Sequence, residues 1–212
     1  MAIKAVFFDV GCTLVDETRM FAEWADWLKI GRLDFFAAIG ATIANKDHHR
    51  RVFDMVAPGI DIKAAREARH AAGQAFNIEP RDLYPDAAPC LAACQAAGLI
   101  VGIAGNQPIE AEAALEAAGL KPHHHATSAK WGISKPDPRF FEKIAETCNL
   151  PPHQIAYVGD RVDNDVLPAR AAGMHPIFLI RGPWGVIHAN WPGADQAAVT
   201  VRGLEGLAAL LA

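Results

Sequence analysis

The stretch Lys4-Ala5-Val6-Phe7-Phe8-Asp9-Val10-Gly11-Cys12-Thr13 limits what this chain can become more than any other. Four consecutive apolar residues, 5–8, suit a strand buried on both faces of a parallel sheet. An aspartate closes the run, and a glycine turn and a threonine follow. In open α/β sheets, ligands bind beyond the carboxyl ends of the strands. Asp9 therefore stands where a carboxylate serves as nucleophile, metal ligand or both. A strand-ending aspartate also serves plain turn chemistry, and the rest of the chain decides between the two.

From 17 to about 84 the pattern changes, with no convincing strand. Phe21, Trp24, Ala25, Trp27 and Leu28 recur at helical spacing, as do Leu33, Phe36, Ile39 and Ile43, and then Val52, Phe53 and Val56. The stretch 62–76 is Ala-rich and amphipathic. Breaks at 30–32, 45–47 and 57–59 divide the block into about four helices. After it, strand and helix patterns alternate. Helices are expected over 85–97, 108–118, 138–148, 164–172 and 204–211, with Asp137 as an N-cap. Strands are expected over 99–104, 154–158 and 176–180, with weaker ones at 126–128 and 198–201. The stretch 181–193, rich in Gly, Pro and Trp, reads as an irregular loop. Such alternation predicts an α/β fold, a doubly wound and mainly parallel Rossmann-like sheet with right-handed crossovers. The expected domains are an α/β core of 1–16 and 85–212, and an all-helical insertion of 17–84.

Composition narrows the function classes. A net charge of -4 over 212 residues gives no support for nucleic-acid binding or an anionic membrane surface. No apolar run approaches a membrane span, and the first residues lack the pattern of a secretory signal. The four cysteines have neither zinc nor disulfide spacing, which points to a reducing, cytoplasmic setting. Monomer and homodimer are both open on the sequence.

Three later stretches carry chemistry. Ile103-Ala104-Gly105-Asn106 ends a strand. Ser134-Lys135-Pro136-Asp137-Pro138 sets a lysine before a helix, with prolines fixing the turn. Gly159-Asp160-Arg161-Val162-Asp163-Asn164-Asp165 gathers acids at another strand end. With the Asp9 loop, these stretches resemble, in order and separation, the motifs of the haloacid dehalogenase-like hydrolase superfamily. The likeness spans essentially the whole chain, and the helical insertion sits where one large subgroup carries a small cap. Each motif is weak alone; four in order are specific.

The resemblance implies a Mg²⁺-dependent phosphatase acting on a small phosphorylated metabolite. Asp9 would form an aspartyl-phosphate. Asp9, Asp160, Asp165 and the Gly11 carbonyl would hold Mg²⁺. Lys135 would neutralise the phosphate, and Thr13 would tie the loop by its hydroxyl. Two departures stand out. Gly11 occupies the position of the family's usual second aspartate, a general acid–base group of the kind that contributes ~10²–10⁴-fold. Gly105 replaces the usual Ser or Thr, so its amide and the Asn106 side chain become the candidate phosphate donors. Asp16, Glu17, His48 and His49 are alternative acids, although residues of these types usually lie on the surface. A degenerate phospho-ligand-binding protein, or a dehalogenase- or phosphonatase-type enzyme, are the competing readings. Gly159-Asp160 argues against the metal-free dehalogenases. Lys29, Lys46 and Lys63 are the lysines from which a phosphonatase would draw its Schiff base.

Outside these motifs, His123-His124-His125 cannot converge on one ion if extended, because alternate side chains face opposite ways. Trp24 and Trp27 are expected to pack within the helical block or line a cleft. Trp184 and Trp191 either anchor their loop or serve a subunit contact. Asp163 reads as solvated surface, and Cys12 as a packed small residue.

Overall fold

The computed structural model describes residues 2–75 and 77–211, together with all their side chains except that of His49. Phe76, the end of the amphipathic stretch, and the candidate acid His49 side chain lie outside the described set. The elements in chain order are β1 (Ala5–Phe8), α1 (Thr18–Trp27), α2 (Arg32–Ala44), α3 (Val52–Val56), α4 (Ile62–Ala71), α5 (Ala87–Ala96), β2 (Ile100–Gly105), α6 (Ala111–Ala117), β3 (His124–Thr127), α7 (Ser128–Trp131), α8 (Pro138–Cys148), β4 (Ile155–Gly159), α9 (Leu167–Ala171), β5 (His175–Leu179), α10 (Gly182–His188), β6 (Val199–Val201) and α11 (Leu207–Leu211).

The six strands form one all-parallel sheet in the order β3-β2-β1-β4-β5-β6. The order reverses between β1 and β4, the topological switch point at which such sheets bind ligands. The register pairs Phe8 with Ile103 on one side and Val158 on the other, so Asp9 and the end of β4 meet at that point. All four residues of β1 are buried, as a strand covered on both faces requires. Val6 and Phe8 face one cluster, with Val101, Val158, Ile177, Leu91 of α5 and Leu207 of α11. Ala5 and Phe7 face the other, with Tyr157, Phe140, Phe141 and Ile144 of α8 and Ala169 of α9. The period-2 alternation of a strand thus builds a helix layer on each face of the sheet.

The chain divides into two units, Met1–Asp16 with Ile78–Ala212, and Glu17–Asn77. The second boundary falls earlier in the chain than the one expected at 84/85. Residues 78–84 belong to the α/β unit because Ile78 lies in its core cluster, Leu83 bridges Val15, and Asp82 accepts the Asp16 amide. The inserted unit holds α1–α4. Its core joins Trp24, Phe35 and Phe53 edge to face, at 4.9 Å for Trp24–Phe53 and 6.0 Å for Phe35–Phe53. Among the described residues, no helix is long and apolar enough to cross a membrane.

The stretch 181–193 departs from its expected loop character by forming α10. Glycine and proline disfavour helix interiors, but here each has a use. Gly182 takes a positive φ of 64° at the entry, and Pro183 sits in the first turn, where its missing N–H is no loss. A Cβ on Gly185 would lie 2.7 Å from the Leu179 carbonyl oxygen, so the helix approaches β5 at a distance only glycine allows.

Candidate active site

The loop after β1 is tied by its own backbone. The amides of Leu14 and Val15 both donate to the Val10 carbonyl, at 2.9 and 3.0 Å, and the Cys12 amide donates to Val15. Cys12 adopts the left-handed region, φ 51°, and is buried. Gly11 is half-buried and contributes only backbone. The Thr13 hydroxyl departs from the role expected of it. It is buried and has no hydrogen-bond partner among the described residues, and Thr13 holds the loop through its main chain instead.

Lys135 is delivered by the turn before α8 and is fully buried. Its Nζ lies 2.8 Å from Asp9 Oδ1 and 2.6 Å from Asp165 Oδ1. Burial disfavours the ammonium, but the two carboxylates outweigh it and hold Lys135 well above the usual lysine range. Asp165 is pushed up to about 6 by burial, against the pull of Lys135. Its second oxygen accepts the Arg161 amide at 2.9 Å. A side chain on Gly159 would collide with the Asp165 carboxylate, which explains the glycine in that motif.

Asn106 does not simply face a ligand. Its Nδ2 donates to the Lys135 carbonyl at 2.9 Å and its Oδ1 accepts the Lys135 amide at 2.8 Å. It therefore clamps the lysine's backbone, leaving its second amide hydrogen for a ligand. Gly105 has a steric reason: a Cβ there would lie 2.6 Å from Asp9 Oδ1. The glycine that departs from the family pattern makes room for the Asp9 carboxylate.

Sequence reasoning missed Tyr157. Its ring lies 5.2 Å from Lys135 Nζ, and its hydroxyl donates to the Ala104 carbonyl at 2.7 Å. In the sequence it reads as one more apolar strand residue. Asp163, read as solvated surface, is exposed and pairs bidentately with Arg161 at 3.1 and 2.7 Å. Two of the three histidines, His124 and His125, open β3 and face opposite ways, while His123 precedes the strand. His123 Nδ1 accepts the Val101 amide, His124 stacks on Phe7, and His125 lies near Glu112 and Glu116.

Asp9, Asp160 and Asp165 each offer an oxygen, all within 4.8 Å of one another, and all three are buried. Hard carboxylate donors suit Mg²⁺. One ammonium against three carboxylates also leaves negative charge that a divalent cation would balance, so the donor set fits the metal.

The profile of the family described as haloacid dehalogenase-like hydrolase matches residues 3–173. The chain belongs to this family. A glyceraldehyde 3-phosphate phosphatase of Methanopyrus kandleri is 28% identical over 206 residues, covering 86% of each chain. A phosphoserine phosphatase of Thermus thermophilus is 35% identical over 123 residues, 56% of this chain and 49% of that one. A haloacid dehalogenase-like hydrolase domain-containing protein 3 of Danio rerio is 30% identical over 113 residues, 52% of this chain and 47% of that one. The chain thus spans about half the length of the last two relatives. Among solved structures, a phosphatase of the family from Thermococcus onnurineus superposes with a TM-score of 0.62 at 21% identity, covering 99% and 98% of the two chains. The L-2-haloacid dehalogenase PA0810 superposes at 0.68 and 20% identity, covering 99% and 100%. At such identities these structures speak for the fold alone. Both phosphatases and dehalogenases share it, so the chemistry must be argued from the site.

Proposed function

We propose that this hydrolase-family chain is a Mg²⁺-dependent phosphatase acting on a small phosphorylated metabolite. The observation that carries this reading is the cluster of three buried carboxylates around one buried lysine at the switch point of the sheet. Attack on carbon calls for no divalent cation and so for no cluster of carboxylates to hold one; transfer of a dianionic phosphoryl group to a carboxylate nucleophile needs cationic charge around it.

Asp9 attacks phosphorus, the P–O bond to the leaving group breaks, and the leaving oxygen departs as an anion that takes its proton from solvent. Water then attacks the aspartyl-phosphate, releasing inorganic phosphate and restoring the carboxylate. Lys135, held by Asp165 and by the Asn106 clamp, offsets the charge of the transferring group. In this reading the Gly105 amide and the Asn106 side chain donate to the phosphate. Asp9, Asp160, Asp165 and the Gly11 carbonyl would hold Mg²⁺, which supplies electrostatic stabilisation of the phosphoryl oxygens. Gly11 has no side chain to protonate the leaving group, so aryl and acyl phosphates, which need little protonation, are the favoured substrates. The helical unit, inserted directly after the nucleophile loop, serves as the substrate-selecting cap. Free thiols at all four cysteines suit a reducing cytoplasm.

Gly11 also favours a second reading, a phospho-ligand-binding protein without turnover. Hydrolysis of p-nitrophenyl phosphate and acetyl phosphate, with Mg²⁺ and with EDTA, separates the two. The phosphatase reading expects metal-dependent turnover that falls by at least about 10³-fold in Asp9→Asn. Wild-type rates no higher than those of Asp9→Asn would select the binding reading. Gain of activity in Gly11→Asp would then show a site complete except for its acid.

A further inference from the structure

The segment 181–191 plays no part in the mechanism above, yet it touches both catalytic loops. At its start, Arg181 donates to the Thr13 carbonyl at 3.1 Å and to Asp86 Oδ1 at 2.9 Å, with a second, shorter bond to Asp86 Oδ2. A Cβ on Gly182 would lie 2.6 Å from the Cys12 Cβ, so the chain here runs tight against the nucleophile loop. Further along, the Trp184 ring lies 5.6 Å from the Arg161 guanidinium, which in turn clasps Asp163. At the end of α10, His188 Nδ1 accepts the Val162 amide at 3.0 Å. His188 is 1% exposed, and Trp191 stacks on its ring at 3.7 Å.

Val162 opens the π-helical turn Val162–Val166, which begins two residues after Asp160 and carries Asp165. The first amides of a helical turn have no partner within it. A buried one left unsatisfied costs free energy, and the turn could relieve that cost by shifting. His188 supplies the missing acceptor from another element. Because Nδ1 accepts, the ring proton sits on Nε2 and the imidazole is neutral. Turns with this wide geometry concentrate at functional sites, and this one spaces two carboxylates of the cluster.

We propose that His188 is a positioning residue for the acid loop: its bond to the Val162 amide fixes where Asp160 and Asp165 stand relative to Asp9. Arg181, at the other end of α10, holds the Thr13 carbonyl, so one helix sets the spacing of both loops. The inference rests on the proposed reading that Asp160 serves a divalent cation and Asp165 serves Lys135. Outer groups that orient metal ligands typically carry 10–100-fold effects.

The test compares wild type with His188→Ala and His188→Gln, whose side-chain carbonyl can accept the same amide. Mg²⁺ affinity is measured by calorimetry, p-nitrophenyl phosphate kinetics as kcat and KM separately, and folding by thermal unfolding. The expected result is Mg²⁺ binding and kcat each weakened about tenfold or more in His188→Ala, with KM within about twofold and most of the loss recovered in His188→Gln. A role in packing alone would lower the unfolding temperature and leave Mg²⁺ affinity and kcat within about twofold, which overturns the proposal. A glutamine variant as impaired as the alanine variant overturns it too. Should His188→Ala fail to fold, His188→Gln carries the comparison: near-wild-type Mg²⁺ affinity supports the acceptor role and its loss overturns it. A wild-type protein that binds Mg²⁺ without turnover defeats the phosphatase reading, while the positioning role is still judged by Mg²⁺ affinity.

Discussion

Lys135 in the α/β unit and Arg69 in the helical unit are both buried cations, and their surroundings treat the charge in opposite ways. Lys135 touches two carboxylates at 2.8 and 2.6 Å and lies over the Tyr157 ring. Arg69 lies over the Trp24 ring at 4.4 Å and reaches one carboxylate, Glu23, at 3.2 Å. Glu23 is 37% exposed and is shared with Arg19, and the buried Arg69 Nε has no hydrogen-bond partner among the described residues. Burial opposes the charge on both residues. It is overcome at Lys135, whose affinity for its proton is raised, and prevails at Arg69, whose proton affinity is lowered. The difference separates a cation the protein keeps for its charge from one it keeps for its hydrocarbon stem and planar face. Function is to be sought where the surroundings work to keep a buried charge.

Removing the charge should therefore hurt most at Lys135. In Lys135→Met, Asp9 and Asp165 face each other in the interior without a counter-charge. Breaking a buried pair in this way typically costs about 3–5 kcal/mol. Denaturant unfolding in EDTA, where no divalent cation can step in, should show a loss of that size. A loss below about 1 kcal/mol would mean that the carboxylates do not depend on the lysine.

Gly105→Ser sharpens the same comparison by disturbing one partner of Lys135. The family's usual residue would add a phosphate donor in isolation. Here its Cβ would sit 2.6 Å from Asp9 Oδ1. The expected outcome is a kcat for p-nitrophenyl phosphate about tenfold or more lower, since a misplaced reacting group costs up to ~10²-fold. A higher kcat would show that Asp9 moves freely and that the lost donor matters more than the clash.

His188 is the third case, a buried basic group kept neutral. Burial pushes it down to about 4, against the pull of Asp163 at 3.8 Å. An unfolded histidine titrates near ~6.5. Between about pH 4 and 6.5 the unfolded chain therefore binds a proton that the folded chain does not. Its contribution to stability is complete above about pH 6.5 and is lost as the pH falls toward 4, by about 2–3 kcal/mol. Asp165, pushed up to about 6, acts with the opposite sign over the same range. The measurement is therefore the difference in unfolding free energy between wild type and His188→Gln, which should shrink as the pH is lowered. A difference flat from pH 7 to 4 would mean that His188 titrates normally in the fold.

Much of the α/β unit was legible because its strands are short apolar runs that end in chemically distinctive residues. Asp9, Lys135, Asp160 and Asp165 stand out in the sequence for that reason, and the structure brings all four together. The Asp137 cap and the α8 bounds were equally plain: the cap precedes a proline at the first position, and the structure ends the helix at Asn149 in the left-handed region. What stayed hidden depends on contacts made at long range. Tyr157 looks like core until its hydroxyl is seen on Ala104 and its ring beside Lys135. The α10 helix is written in residues of poor helix propensity and exists because Gly182 and Gly185 admit close neighbours. Asn106 looks like a ligand donor until both ends of its amide are found on the Lys135 backbone. The 78–84 boundary follows from packing of Ile78 and Leu83, not from any break in the pattern.

Arg69→Met is the smallest effect and the sharpest test of the contrast. Methionine keeps a flexible apolar stem against Trp24 and removes a buried Nε that has no acceptor among the described residues. Glu23 is not stranded by the change, because it is partly exposed and keeps Arg19 at 2.6 Å. Replacing a buried ionic group by an apolar one of similar size is often neutral or stabilising. The expected shift in unfolding free energy is within about 1 kcal/mol, with stabilisation the favoured direction. Arg69→Ala, which loses the stem as well, should cost about 1–2 kcal/mol. If Arg69→Met instead costs as much as Lys135→Met, the charge itself is being held in place. The helical unit would then contain a polar site of its own, and the rule drawn from the two cations would fail.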